Sequence, residues 1–244
     1  MRFSVFALAT VPDTATTRRL FDLDDLDDKS VSKVLFHRRK QQTGSSERLR
    51  WDQRSIAAIT TIQHAMGSVQ IDSMNLARHS EEDMLHAFFK AVLRDGRLVS
   101  WDGERSDLPL VHFRTLKHQI SYPAYWLARG GDVQPHLDLQ SWLSPSDNDL
   151  PSLDETVRKL ALPGMFQYSE DSVMDAWLRG QHEAVQAYSD LAALNAYLLA
   201  LRMFKMTGEI TPQDEVRVCK HLRSDLAARS LDHLDAFLAA WGND

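Results

Sequence analysis

Phe3-Ser4-Val5-Phe6-Ala7-Leu8-Ala9-Thr10-Val11-Pro12-Asp13 carries no charge before its last residue. Phe3 to Ala9 is mostly apolar and runs directly into Thr10-Val11-Pro12-Asp13, which predicts a buried core strand stopped by a proline turn. Arg2 followed by an apolar run superficially suggests a secretory leader. That run is short, contains Ser4 and ends at the turn, so the strand reading is preferred.

Outward from this strand, helical and strand-like patterns alternate. From Asp22 to Lys40 an acid-rich start (Asp24, Asp25, Asp27, Asp28) gives way to a basic end (His37, Arg38, Arg39, Lys40), the polarity that suits a helix dipole, with a stop near Gly44. Ile56 to Gln63 and Ser68 to Met74 are short runs with Ile, Val and Thr, joined by His64-Ala65-Met66-Gly67 as in a hairpin or two adjacent strands. Glu81 to Leu93 has a helical apolar stripe ending at Gly96. Arg97 to Trp101 reads as a buried strand, and after a turn at Asp102-Gly103, Leu108 to His118 reads as a helix with Pro109 in its first turn. Tyr122 to Ser144 is irregular, with Gly130-Gly131 and an apolar stretch from Leu137 to Leu143. Ser152-Leu153-Asp154-Glu155 caps a helix to Ala161, and a long helix covers His182 to Met206. Two more helices, about Pro212 to Ser230 and Leu231 to Trp241, complete an α/β chain with a helical C-terminus. The expected organisation is one domain over residues 1–244, with a core at about 3–210 and C-terminal helices at about 211–241.

At 244 residues, 43% hydrophobic and 25% charged, the chain has the balance of a soluble globular protein able to bury a substantial core. No apolar run approaches the ~20 residues needed to span a bilayer, so no membrane partner is expected. Cys219 is the sole cysteine, which excludes an internal disulfide framework and fits a reducing compartment; the cytoplasm is the expected location. The net charge of -6 argues against nonspecific coating of nucleic acid. It does not argue against a nuclease, whose cleft concentrates acids within a modest basic rim. Phosphate-loop, dinucleotide-binding, nucleophile-elbow and zincin motifs are all absent, so those chemistries lack their usual scaffolds. The histidines are scattered, and His112 and His118 read as surface or helix-packing residues rather than a metal site.

Three stretches carry a resemblance. Phe6 to Asp13, given acids at positions 7 and 9, would read Phe-Asp-Leu-Glu-Thr-Val-Pro-Asp. Leu98-Val99-Ser100-Trp101-Asp102-Gly103-Glu104-Arg105-Ser106-Asp107-Leu108-Pro109 is similar to a pattern L-V-[ST]-[WF]-N-G-x-x-F-D-L-P, departing at Asp102 and Ser106. Ala187-Tyr188-Ser189-Asp190-Leu191-Ala192-Ala193-Leu194-Asn195-Ala196-Tyr197-Leu198-Leu199 is similar to A-Y-C-E-T-D-V-L-N-T-Y-L-L. His136-Leu137-Asp138-Leu139, Ser152 to Glu155 and Leu160-Ala161-Leu162-Pro163-Gly164 match intervening stretches, with Met165 in place of a lysine. The ordered set resembles the predicted 3'→5' exonucleases related to the exonuclease domain of family-B DNA polymerases, of the DEDD superfamily and its tyrosine-containing type, over roughly residues 3 to 210.

The resemblance implies an RNase H-like fold, a mixed central sheet flanked by helices. It implies two Mg²⁺ or Mn²⁺ ions held by acids at Ala7, Ala9, Asp107 and Ala192, with Tyr188 orienting the attacking water. The expected substrate is a single-stranded DNA or RNA 3' end, DNA the first choice, shortened to nucleoside 5'-monophosphates. Thr10, Val11 and Trp101 are the expected contacts to the terminal base, Trp101 being equally readable as structural; Tyr122, Tyr125 and Trp126 are further candidates along the approach. The geometry is reasonable: side chains two apart on a strand share a face, and a Tyr and an acid four apart share a helix face. Asp190, about 200° around the helix from Tyr188, is a poor substitute for an acid at Ala192.

Alone, Ala7 and Ala9 are small strand residues and Ala192 a helix former. With matching flanks, three alanines at three acidic positions of one site favour deliberate inactivation of an active parent and predict negligible nuclease activity and weak metal binding. The alternatives are a natural pseudo-exonuclease that binds nucleic-acid ends or a protein partner on the same scaffold, or an unrelated α/β interaction domain.

Overall fold

Strand β1 (Arg2–Pro12) lies at the centre of a five-stranded mixed sheet. The computed structural model describes residues 1–65, 67–129, 136–144 and 150–242, apart from the side chains of residues 93–95; Met66, Gly130 and Gly131 lie outside the described residues. The sheet order is β3-β2-β1-β4-β5. β2 (Arg54–Ala65) runs antiparallel to β1, and β3 (Ser68–Asn75) runs antiparallel to β2. On the other side β4 (Arg97–Ser100) runs parallel to β1, and β5 (His136–Asp138) runs parallel to β4. This mixed sheet with flanking helices is the expected RNase H-like α/β architecture.

β1 is apolar on both parities because both faces of the sheet are covered. Phe3, Val5 and Ala7 join the core beneath the long helix α9 (His182–Met206), with Leu191, Ala196 and Phe204. Phe6 and Leu8 face the opposite layer, formed by α3 (Glu81–Asp95), α4 (Leu108–Lys117) and α5 (Pro123–Arg129). There Met84, Leu85, Phe88 and Phe89 are completely buried, each side chain contributing about 1.5–3 kcal/mol by removal from water.

The strand outlasts its expected end. Thr10, Val11 and Pro12 pair with Ile56, Ser55 and Arg54 after a bulge that leaves Ala57 of β2 as an extra residue. Proline is tolerated because the strand ends there. Asp13 then caps α1 (Thr14–Phe21), its carboxylate accepting from the Thr16 amide at 3.0 Å. The predicted helix from Asp22 is likewise corrected. Asp22 has φ 51 and closes α1, Asp24 and Asp25 lie in the connection, and α2 (Asp28–Thr43) starts at the Asp27 cap. The irregular stretch from Tyr122 holds α5, β5 and α6 (Leu139–Leu143), elements too short to leave a periodic trace.

The capped helix is α7 (Leu153–Lys159), with the Ser152/Glu155 capping box in place. An unforeseen helix, α8 (Glu170–Leu178), packs on β1 and α9. Helices α10 (Pro212–Arg229) and α11 (Asp232–Ala240) close over α9 through Leu222, Leu226, Leu234 and Phe237. No helix of the described residues is long and apolar enough to cross a membrane.

Candidate active site

Where β1 and β4 end, the sheet opens into a cleft of about 1010 Å³. Ala7 and Thr10 reach it from β1, Trp101, Asp102 and Asp107 from the segment after β4, and Tyr188, Ala192 and Ala196 from α9. Of the predicted site residues, Ala7, Thr10, Trp101, Asp107, Tyr188 and Ala192 therefore meet in one place. Ala9 and Val11 lie outside its wall: Ala9 is completely buried and Val11 nearly so, both in an apolar cluster with Val173 and Ala176 of α8. The terminal-base contact expected of Val11 is thus not open to its side chain. Tyr122 and Tyr125 pack on Phe89 in the opposite layer, and Trp126 packs against His112 and edge-on to Tyr125. None of the three lines the cleft.

Asp107 closes a π-helical turn, Gly103–Asp107, that feeds α4, a distortion that often accompanies functional sites. The turn presses so closely on β4 that a β-carbon on Gly103 would sit 2.1 Å from the Ser100 Oγ. Asp107 makes no ion pair or hydrogen bond with another described side chain. Burial pushes its carboxyl up to about 7, against the opposing charge of Arg54 and with help from Asp102, Glu170 and Asp138. Burial, with Glu170 and Asp107 nearby, also raises the Tyr188 phenol far above its usual range, so it stays protonated. A desolvated, unpartnered acid and a protonated phenol in one cleft are the perturbation expected of a functional site. Asp102 lines the same wall, its carboxyl raised by burial and its Oδ1 without a hydrogen-bond partner among the described residues.

Asp190 points elsewhere. It accepts from the Thr60 hydroxyl at 2.6 Å and the Ser73 hydroxyl at 2.5 Å, and lies 2.9 Å from the His233 Nε2. His112 meets the Tyr125 hydroxyl at 2.8 Å and His118 meets Glu81 at 2.9 Å, which are packing roles.

The sequence reading missed the arginines. Arg48, Arg50, Arg54 and Arg105 all line the cleft. Arg50 is neutralised by Asp52 and Arg48 lies 3.7 Å from Glu170, whereas Arg54 and Arg105 have no acid within ion-pair distance among the described residues. Arg54 is held at the wall by the Ser106 hydroxyl at 2.8 Å and the Thr10 hydroxyl at 3.4 Å. Ser106, a departure from the motif, thus helps anchor Arg54. The available signal was the run Arg48, Arg50, Trp51, Arg54, basic residues interleaved with an aromatic.

A buried ionic cluster ties β1 and β2 to α3 and α4. Arg114 of α4 bridges Asp13 at the end of β1 and Glu81 at the start of α3. Lys117 reaches Asp13 at 2.7 Å, and the Ile56 amide donates to Glu81 at 2.7 Å.

A family described as "Predicted 3'-5' exonuclease related to the exonuclease domain of PolB" matches residues 46–241. The chain belongs to this family. Nucleic acid is therefore its substrate class and divalent metal the usual cofactor of such nucleases. The matched segment includes the Asp107 and Tyr188 stretches, while β1, with positions 7 and 9, precedes it. No curated protein matches the chain.

The donor set does not suit a pair of divalent ions. Among the described residues, no three His, Cys, Asp or Glu side chains are grouped so as to hold a metal. Ala7 and Ala192 present only methyl groups beside Asp107.

Proposed function

We propose that the cleft binds the 3' end of single-stranded nucleic acid, DNA in preference to RNA, and that the chain is a 3'→5' exonuclease framework from which the metal-holding carboxylates at positions 7 and 192 have been removed, together with the acid expected at position 9, where the methyl group of Ala9 packs under α8. One observation carries the reading: Ala7, Asp107, Tyr188 and Ala192, from three distant parts of the sequence, line a single cleft. Arg54 and Arg105, neither within ion-pair distance of an acid among the described residues, supply positive charge for backbone phosphates, the contact that sets affinity without regard to sequence. The Tyr188 hydroxyl, protonated and unpartnered, is placed to orient a water or a phosphate oxygen. With Asp107 the sole acid of the four positions, the chain binds without cutting.

The test is the triple substitution Ala7→Asp, Ala9→Glu, Ala192→Asp, assayed on a single-stranded oligonucleotide labelled at its 5' end, with Mn²⁺ present. Stepwise shortening from the 3' end by the triple variant, and none by the chain as it stands, is expected. An intact oligonucleotide with a correctly folded triple variant rejects the nuclease reading.

A further inference from the structure

We infer that Phe166 and Trp51 form a base-stacking clamp for a single strand, an inference that rests on reading the cleft as a nucleic-acid site. Both rings line the cleft, and both are substantially open to solvent, at 41% and 39% of their surface. Exposed aromatic faces beside unpaired arginines are what single strands bind, because every base offers a face to stack and every link a phosphate.

Phe166 carries a second mark. Its φ is 54, and it sits in a turn closed by the Tyr168 amide donating to the Met165 carbonyl at 2.9 Å. A positive φ at the second residue of a turn is ordinarily met by glycine, and a side chain there is strained. The other four non-glycine residues with positive φ all directly follow or closely trail helix ends, where the last turn accounts for them. At Phe166 no helix ends, and the strain displays a large apolar ring to water.

The turn stands on a stiff base. Asn195, buried in α9, accepts from the Gly164 amide at 3.0 Å and donates to the Gly164 carbonyl at 2.8 Å. Asp154 accepts from the Met165 amide at 2.7 Å. The ring is therefore pre-positioned, which spares a ligand the cost of ordering it. Trp51 is braced edge-on by Phe113 with ring centroids 5.5 Å apart, leaving much of its surface free.

The test measures binding of a labelled oligothymidylate and of an abasic oligonucleotide of equal length to the chain and to Phe166→Ala, Trp51→Ala, Phe166→Trp and Phe166→Gly. Each alanine variant is expected to weaken oligothymidylate binding by about 5- to 150-fold, the loss of one stacked base, with abasic binding unchanged and Phe166→Trp retaining affinity. Phe166→Gly is expected to lose the same affinity while raising Tm, since glycine relieves the strain. Equal oligothymidylate affinity in the alanine variants, equal losses on both oligonucleotides, or a lower Tm for Phe166→Gly would overturn the clamp. Failure of the unaltered chain to bind either oligonucleotide would overturn the nucleic-acid reading itself, and the clamp with it.

Discussion

Asp13 caps α1 and faces Arg114 and Lys117 in a buried cluster. Burial alone would raise its carboxyl, but the Lys117 hydrogen bond, the Thr16 amide and the Arg114 charge hold it down at about 2. A folded-state value below the unfolded one adds stability that is complete above the unfolded value of 3.8 and disappears as pH falls from there through about 2. Asp13→Asn is expected to cost about 2–4 kcal/mol at neutral pH, with the gap from the parent narrowing below pH 4 in denaturant titrations. Nothing in the sequence pairs Asp13 with Arg114, because their contact spans 101 positions. Arg54 was hidden differently, by lying at the boundary of a strand and by its anchor Ser106 breaking the motif. Arg54→Ala is expected to weaken binding of single-stranded DNA uniformly across sequences and to reduce the salt dependence of log K by about one unit of slope. An unchanged slope would show that Arg54 makes no phosphate contact.

Among the elements, those with a strong local signal were legible. Capping residues and a stripe fix α3 and α7, and an apolar run long enough to admit only helix fixes α9. The elements that were missed lack such signals. α1 begins Thr14-Ala15-Thr16-Thr17, where three threonines are poor helix formers and the Asp13 cap starts the helix, and β5 is only three residues held by pairing with β4. More telling is the loop between α7 and α8, where two stretches that looked like separate motif fragments touch. Gly164 has φ 84, and a β-carbon there would lie 2.8 Å from both the Asp154 Oδ1 and the Arg158 Cγ. The same glycine exchanges two hydrogen bonds with Asn195, so the residue types at 154, 164 and 195 belong to one joint. Asn195→Ala strands a buried amide and a buried carbonyl, and is expected to cost about 2 kcal/mol and to lower Tm by roughly 4–8 °C. A shift below 1 °C in calorimetry would mean that water replaces the side chain and that the joint is not rigid.

Across the whole molecule, the strand order could not be read from the sequence, since nothing local says that β1 is central and that β4 and β5 add on its far side. The convergence of Ala7, Asp107, Tyr188 and Ala192 came instead from the order of the motifs, and Ala9 shows the limit of that route, because α8 covers it. The same long-range logic governs the C-terminal helices. α9 turns Tyr188 and Ala192 toward the cleft and Asp190 toward β2, β3 and α11. His233 of α11 closes on Asp190 at 2.9 Å, and Arg229 of α10 donates to the Ile71 carbonyl of β3 at 2.8 Å. Both contacts sit beside the fully buried Leu222, Leu226 and Phe237, which join α10 and α11 to the core of the sheet. α10 and α11 are therefore expected to unfold with the rest of the chain. Removing Asp190 as Asp190→Ala leaves Thr60, Ser73 and His233 without their shared acceptor. It should lower the single unfolding transition by about 3 kcal/mol, while oligonucleotide affinity measured well below Tm stays within twofold. Two separated transitions in the parent would show the C-terminal helices to be an independent appendage. A large affinity loss in the folded Asp190→Ala variant would place that residue in the site after all.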